Sequence, residues 1–92
     1  MSITIGGVTF DRVVYDREGD VPYLHVGDPA TAVDYDESHE GHGLRFDASG
    51  RLVGVTMVSI RRMLEAGEPI TVTIPVAEPV DPAVLAPVID AA

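Results

Sequence analysis

The stretch Asp34-Tyr35-Asp36-Glu37-Ser38-His39-Glu40-Gly41-His42 crowds two imidazoles and several carboxylates into one short segment. Imidazole nitrogen combined with carboxylate oxygen suits a borderline divalent ion such as zinc or nickel. The His39-x-x-His42 spacing is a weak form of that signal, because outside a helix it does not bring two rings to one side. The segment also imitates the opening of a calcium loop, with Asp34, Asp36 and Ser38 at the first, third and fifth positions. It fails where His39 replaces the glycine of the turn and Arg45 replaces the bidentate glutamate. Asp16, Glu18 and Asp20 repeat the acidic start and fail likewise, with Val21 and Gly27 at those two positions. We read the segment as a solvated acidic loop and assign no catalytic, cofactor-binding or metal-ligating residue.

Other chemistry has less to work with. None of the serines stands in a Gly-x-Ser-x-Gly elbow, and Ser38 and His39, as strand neighbours, point to opposite faces. Gly6-Gly7 precedes a strand rather than opening a helix, so it forms no phosphate cradle. Tyr23 and His25 share one strand face, where a half-buried histidine bonded to a backbone carbonyl is the commoner arrangement. Arg61-Arg62 is the one cationic pair, too small for nucleic acid, since useful affinity needs several phosphate contacts.

The elements that must position these groups read mainly as strands. Nine glycines and seven prolines punctuate apolar runs of strand length. Ile3 and Ile5, then Val8 and Phe10, alternate around Gly6-Gly7 as a first hairpin. Asp11-Arg12 breaks the phase, which predicts a bulge or bend before a strand containing Val13 and Tyr15. After the loop Asp16–Asp20, Leu24 and Val26 face one way and Tyr23 and His25 the other. Pro22 belongs at that strand's start or on an edge. The segment 32–37 alternates Val33 and Tyr35 against Asp34 and Asp36, a strand with one wet face.

Leu44 and Phe46, the turn Asp47-Ala48-Ser49-Gly50 and the apolar strand 52–58 form the best-specified hairpin, with Gly54 marking a bulge or a close approach. Ser59 is placed as the N-cap of a two-turn helix whose stripe is Ile60, Met63 and Leu64 and whose stop is Gly67. Leu64→Ala is the change expected to hurt that helix most. Ile70, Val72 and Ile74 form a last strand, read as an edge. Asp81-Pro82 opens a tail that Pro87 reduces to a kinked or single loose turn. The expected class is α+β: a mainly antiparallel β-meander sheet, one short helix packed on one face and a short C-terminal helical turn.

At 92 residues the chain is expected to be one domain, 1–92, with a small core, so self-association into a homodimer through a strand edge or the tail is anticipated. Fifteen acidic residues stand against six basic ones, all arginine, for a charge of −9. That balance repels phosphate backbones and anionic lipid, which argues for no nucleic acid and no membrane, and makes a basic protein the natural partner. The absence of cysteine excludes disulfides, thiolate zinc sites and thiol nucleophiles. No basic leader or membrane-length apolar run is visible, so the expected address is the cytoplasm.

The residues Val13-Val14-Tyr15-Asp16, Asp20 and Tyr23-Leu24, followed by Asp47-Ala48-Ser49-Gly50-Arg51-Leu52-Val53-Gly54-Val55, resemble the bacterial family of domain of unknown function 2283 (DUF2283). The likeness spans 13–66, leaving the N-terminal hairpin 1–12 and the C-terminal strand and tail 68–92 outside, and Pro22 departs from the family's apolar residue. The resemblance implies a compact strand-rich domain, no catalytic residues to carry over, and relatives encoded beside toxin-like genes. The resulting expectation is a non-enzymatic protein-binding or regulatory module, antitoxin-like toward a basic toxin. The alternative is a small-molecule or metal-dependent enzyme using the His-containing loop 34–42.

Overall fold

The computed structural model describes residues 1–91, an α+β fold of antiparallel sheets with two helices. Strands β1 (Ile3–Ile5) and β2 (Val8–Phe10) pair as a hairpin. Its turn requires positive φ at both central residues, and Gly6 and Gly7 supply it at +56° and +80°. At Asp11 the chain bends out of this hairpin into a second sheet. That sheet contains β3 (Arg12–Asp16), β4 (Val21–His25), β5 (Asp34–Glu37), β6 (Gly43–Phe46) and β7 (Leu52–Thr56) in the order β3-β4-β7-β6-β5. A short 3-10 turn, Pro29–Thr31, lies on the crossover from β4 to β5.

Helix α1 (Ile60–Ala66) follows β7, and a third sheet pairs β8 (Ile70–Thr73) with β9 (Ala77–Val80). Helix α2 (Pro82–Ala91) closes the described chain. Among the described residues no helix is long and apolar enough to cross a membrane.

Alternation gives the five-stranded sheet two different faces. The cross-strand row Val13, Leu24, Val55 and Leu44 points inward, where it meets Ile3, Ile5 and Phe10 of the first hairpin, Ile70 and Val72 of β8, and Ile60 of α1. The next row, Arg12, His25, Gly54 and Arg45, points outward. Removing an inward side chain such as Leu24 would cost about 2 to 5 kcal/mol, the usual range for a buried Leu→Ala.

Several expectations need correction. The tail is not a loose turn: Pro82–Ala91 is a ten-residue helix with Pro87 inside it. Pro87 cannot donate to the carbonyl of Ala83, but Leu85, Val88 and Ile89 are buried on the chain's own core, and that burial outweighs one missing bond. Strand β9 escaped notice because Ala77-Glu78-Pro79-Val80 has no clean alternation. The segment at β5 does not have one wet face, since all four residues Asp34–Glu37 are exposed.

Pro22 sits near the start of β4, an interior strand. It fits because β7 is leaving the ladder there: the Pro22 carbonyl accepts from the Met57 amide at 3.0 Å, just beyond the end of β7.

Helix α1 begins and ends with left-handed residues, Ser59 at φ +58° and Gly67 at φ +69°. Gly67 is the expected stop, but Ser59 makes no side-chain capping bond. Asp20 performs that role from the β3–β4 loop, its carboxylate accepting from the Arg61 amide at 2.9 and 3.0 Å and from the Arg62 amide at 3.4 Å. The helix's buried anchor is Ile60, while Leu64 is only half-buried.

Candidate functional site

On the outer face of the five-stranded sheet Val14 (64% exposed), Tyr23 (43%) and Tyr35 (68%) stand open. Register explains why they cluster. Val14 pairs with Tyr23 and Tyr23 with Thr56, while Arg45 pairs with both Gly54 and Tyr35, so residues distant in sequence fall in adjacent outward rows. The two glycines make room for rings. A Cβ on Gly54 would lie 2.9 Å from His25 Cδ2, and one on Gly43 would lie 3.1 Å from Tyr35 Cε2. Gly54 therefore marks a close approach, as expected, and the ladder also slips beside it, between Arg45 and Phe46.

A groove of about 530 Å³ runs along this face, lined among others by Arg12, Val14, Tyr23, His25, Arg45 and Thr56. His25 is 8% exposed, and its Nδ1 lies 3.0 Å from the Val26 carbonyl oxygen. A carbonyl only accepts, so Nδ1 carries the hydrogen. His25 Nε2 is buried without a partner. Asp11 also lines the groove, but its Oδ1 accepts the Gly27 amide at 2.8 Å, and that bond holds its carboxyl below the usual carboxylate range.

The acidic loop is taken apart by the fold. His39 is exposed, whereas His42 is 2% exposed. His42 Nδ1 accepts the Val58 amide at 3.3 Å. Burial lowers the His42 pKa, against the opposing pull of the Glu40 charge and a bond to the Thr71 backbone. Ser38 is likewise occupied, its Oγ accepting the His42 amide at 3.0 Å. Glu40 reaches β8, accepting from the Thr73 amide at 3.0 Å and the Thr73 hydroxyl at 2.7 Å.

Burial alone would raise the Glu40 pKa, but the side-chain and backbone hydrogen bonds from Thr73 prevail and bring it to about 2. The loop thus ties the start of β6 to the β7–α1 link and to β8. Among the described residues no group of three His, Asp or Glu side chains stands close enough to hold a metal ion.

What remains of that segment as a surface is β5 itself. It pairs with β6 on one side only, so its other edge is free. Asp34 and Asp36 lie in register with Phe46 and Leu44, on the core side of the sheet, while Tyr35 and Glu37 lie on the outer side. The arginine pair separates: Arg61 stacks 5.6 Å from the centroid of the Tyr15 ring, and Arg62 meets Glu68 at 3.5 Å in solvent.

Alternation along β4 places Tyr23 and His25 on one face, as the sequence predicts, whereas nothing local in the sequence points to Arg12 and Arg45. Only the register of four strands brings those two to one groove. Comparison of the chain with family models, with curated proteins and with solved structures finds no match.

Proposed function

We propose that this chain is a non-enzymatic protein-binding module that takes an extended basic segment of a partner protein along the free edge of β5. The observation that carries the reading is the edge itself: four exposed residues, three of them carboxylates, with no strand among the described residues paired on that side and only the Glu37 amide already bonded, to the Asp36 carboxylate at 2.7 Å. An open edge is a template for another strand, and charge decides which strand accepts it. A second copy laid along β5 would double Asp34, Asp36 and Glu37 against themselves, so the edge resists self-pairing. A strand with arginine or lysine at alternate positions would set those cations beside Asp34 and Asp36 and its apolar side chains beside Tyr35. The overall charge of −9 steers such a partner toward the domain.

A basic toxin is one partner with this chemistry, and an antitoxin-like role agrees with the resemblance to the domain of unknown function 2283 family. The test is calorimetric titration with a peptide of alternating arginine and valine. Binding should weaken steeply with salt and fall at least tenfold in the triple variant Asp34→Asn, Asp36→Asn, Glu37→Gln. Equal binding by that variant would remove the proposal.

A further inference from the structure

We propose that the groove on the outer sheet face binds a small organic carboxylate, its anionic head held by Arg45 and Arg12 and its orientation set by a hydrogen bond to His25 Nε2. The site is separate from the β5 edge.

Three observations converge on it. First, the chain has only six basic residues against fifteen acidic ones, yet two arginines line this groove and neither forms an ion pair among the described residues. The carboxylate at the rim, Asp11, spends Oδ1 on the Gly27 amide, and its charge acts on Arg12 without a direct ion pair, so Arg45 is the less compensated of the two. Secondly, His25 Nε2 is a buried polar atom with nothing to bond, an arrangement native proteins seldom leave unanswered. With the hydrogen on Nδ1, the neutral ring offers a lone pair at Nε2, so the missing partner is a hydroxyl or N–H donor.

Thirdly, the register sets Arg12, His25, Gly54 and Arg45 in one line across four strands, roughly 14 Å from end to end at the usual strand spacing. Gly54 lets the His25 ring settle between the two arginines: the point its Cβ would occupy is 2.9 Å from His25 Cδ2, 3.4 Å from His25 Nε2 and 3.2 Å from Arg45 Cβ. An extended arginine side chain is long enough to reach the middle of such a line from either end, and the planar guanidinium matches a carboxylate. The walls supplied by Val14 and Tyr23 take an apolar body. A volume of about 530 Å³ falls within the range of small-molecule sites. The ligand is therefore an apolar-bodied acid that also carries a donor.

The test is a titration of isotopically labelled protein with 3-hydroxybenzoate, benzoate, 3-hydroxybenzamide and inorganic phosphate, followed by NMR. The expected result is saturable shifts at the His25 ring and around Arg45 with 3-hydroxybenzoate, weaker binding of benzoate, and at least tenfold weaker binding of the neutral amide. Arg45→Gln and Arg12→Gln, both exposed positions, should each weaken 3-hydroxybenzoate severalfold while leaving Tm near the parent value. The triple β5-edge variant should bind it unchanged, which separates this site from the edge. No shift at His25 or Arg45 up to about 20 mM, far weaker than a useful site, would overturn the proposal. Phosphate acting at the same residues with equal strength would overturn the organic class of the ligand.

Discussion

The Asp20 carboxylate caps helix α1 by accepting the Arg61 backbone amide at 2.9 and 3.0 Å, across 41 residues of chain. Tyr15 donates its hydroxyl to the same carboxylate at 2.8 Å, so one side chain joins β3, the β3–β4 loop and the helix. A helix of seven residues cannot persist alone in water. Asp20 therefore anchors the start of a helix whose Ile60 completes the core under the inner sheet face.

Replacing Asp20 by Ala should cost about 2 kcal/mol, a capping residue's share plus the bond orphaned at Tyr15. In a domain this small that lowers Tm by roughly 8 to 16 °C in a thermal scan. Ser59→Ala should change little, because Ser59 makes no capping bond. Ser59→Gly should be neutral or stabilise by up to about 1 kcal/mol, since glycine adopts the φ of +58° without strain. A larger loss from Ser59→Ala than from Asp20→Ala would contradict this assignment of the cap.

Within the helix, Ile60→Ala should be the more damaging substitution, at about 3 kcal/mol by urea denaturation, because Ile60 is fully buried. Leu64→Ala should cost roughly half as much at its half-buried position. The sequence stripe identified the helix's apolar side but could not rank its members, since depth depends on what lies opposite.

Gly54→Ala should destabilise by about 1 to 3 kcal/mol through overpacking, since the new Cβ would meet the His25 ring at 2.9 Å. His25→Ala in the same chain should relieve much of that loss. A double-mutant cycle with a coupling below about 0.5 kcal/mol would show that the ring does not occupy the glycine's space.

Acid should weaken the fold in two stages. His42, with a pKa lowered by burial, contributes stability that is complete above its ordinary value of 6.5 and declines as pH falls toward its depressed folded value. Glu40 is depressed from 4.5 to about 2, so its contribution is complete above 4.5 and is lost as pH falls through about 2. Glu40→Gln should cost on the order of 1 kcal/mol at pH 7, discounting for its partial exposure, and should flatten the lower stage. Equal acid sensitivity in parent and variant would show that the Thr73 bonds contribute nothing.

Much of the fold was legible because its signals are local. Gly6-Gly7 and Asp47-Ala48-Ser49-Gly50 specify their turns within a few residues, and Gly67 its helix stop. Strand β9 was not legible, because Pro79 breaks its pattern and only pairing with β8 makes it a strand. Helix α2 was underread because Pro87 argues against it locally while its stripe is rewarded only by the assembled core. The site divides the same way. Tyr23 and His25 are two residues apart and were read as sharing a face, whereas Arg12 and Arg45 meet the groove through strand order, which no local pattern encodes.

The central claim is that β5 accepts a basic strand along its free edge, and backbone amide exchange measured with and without the alternating arginine-valine peptide tests it most directly. The account predicts slowed exchange and shifted amide resonances along Asp34–Glu37, lost when salt is raised to several times the physiological level. Protection that falls elsewhere while β5 amides exchange at their free rate would contradict it.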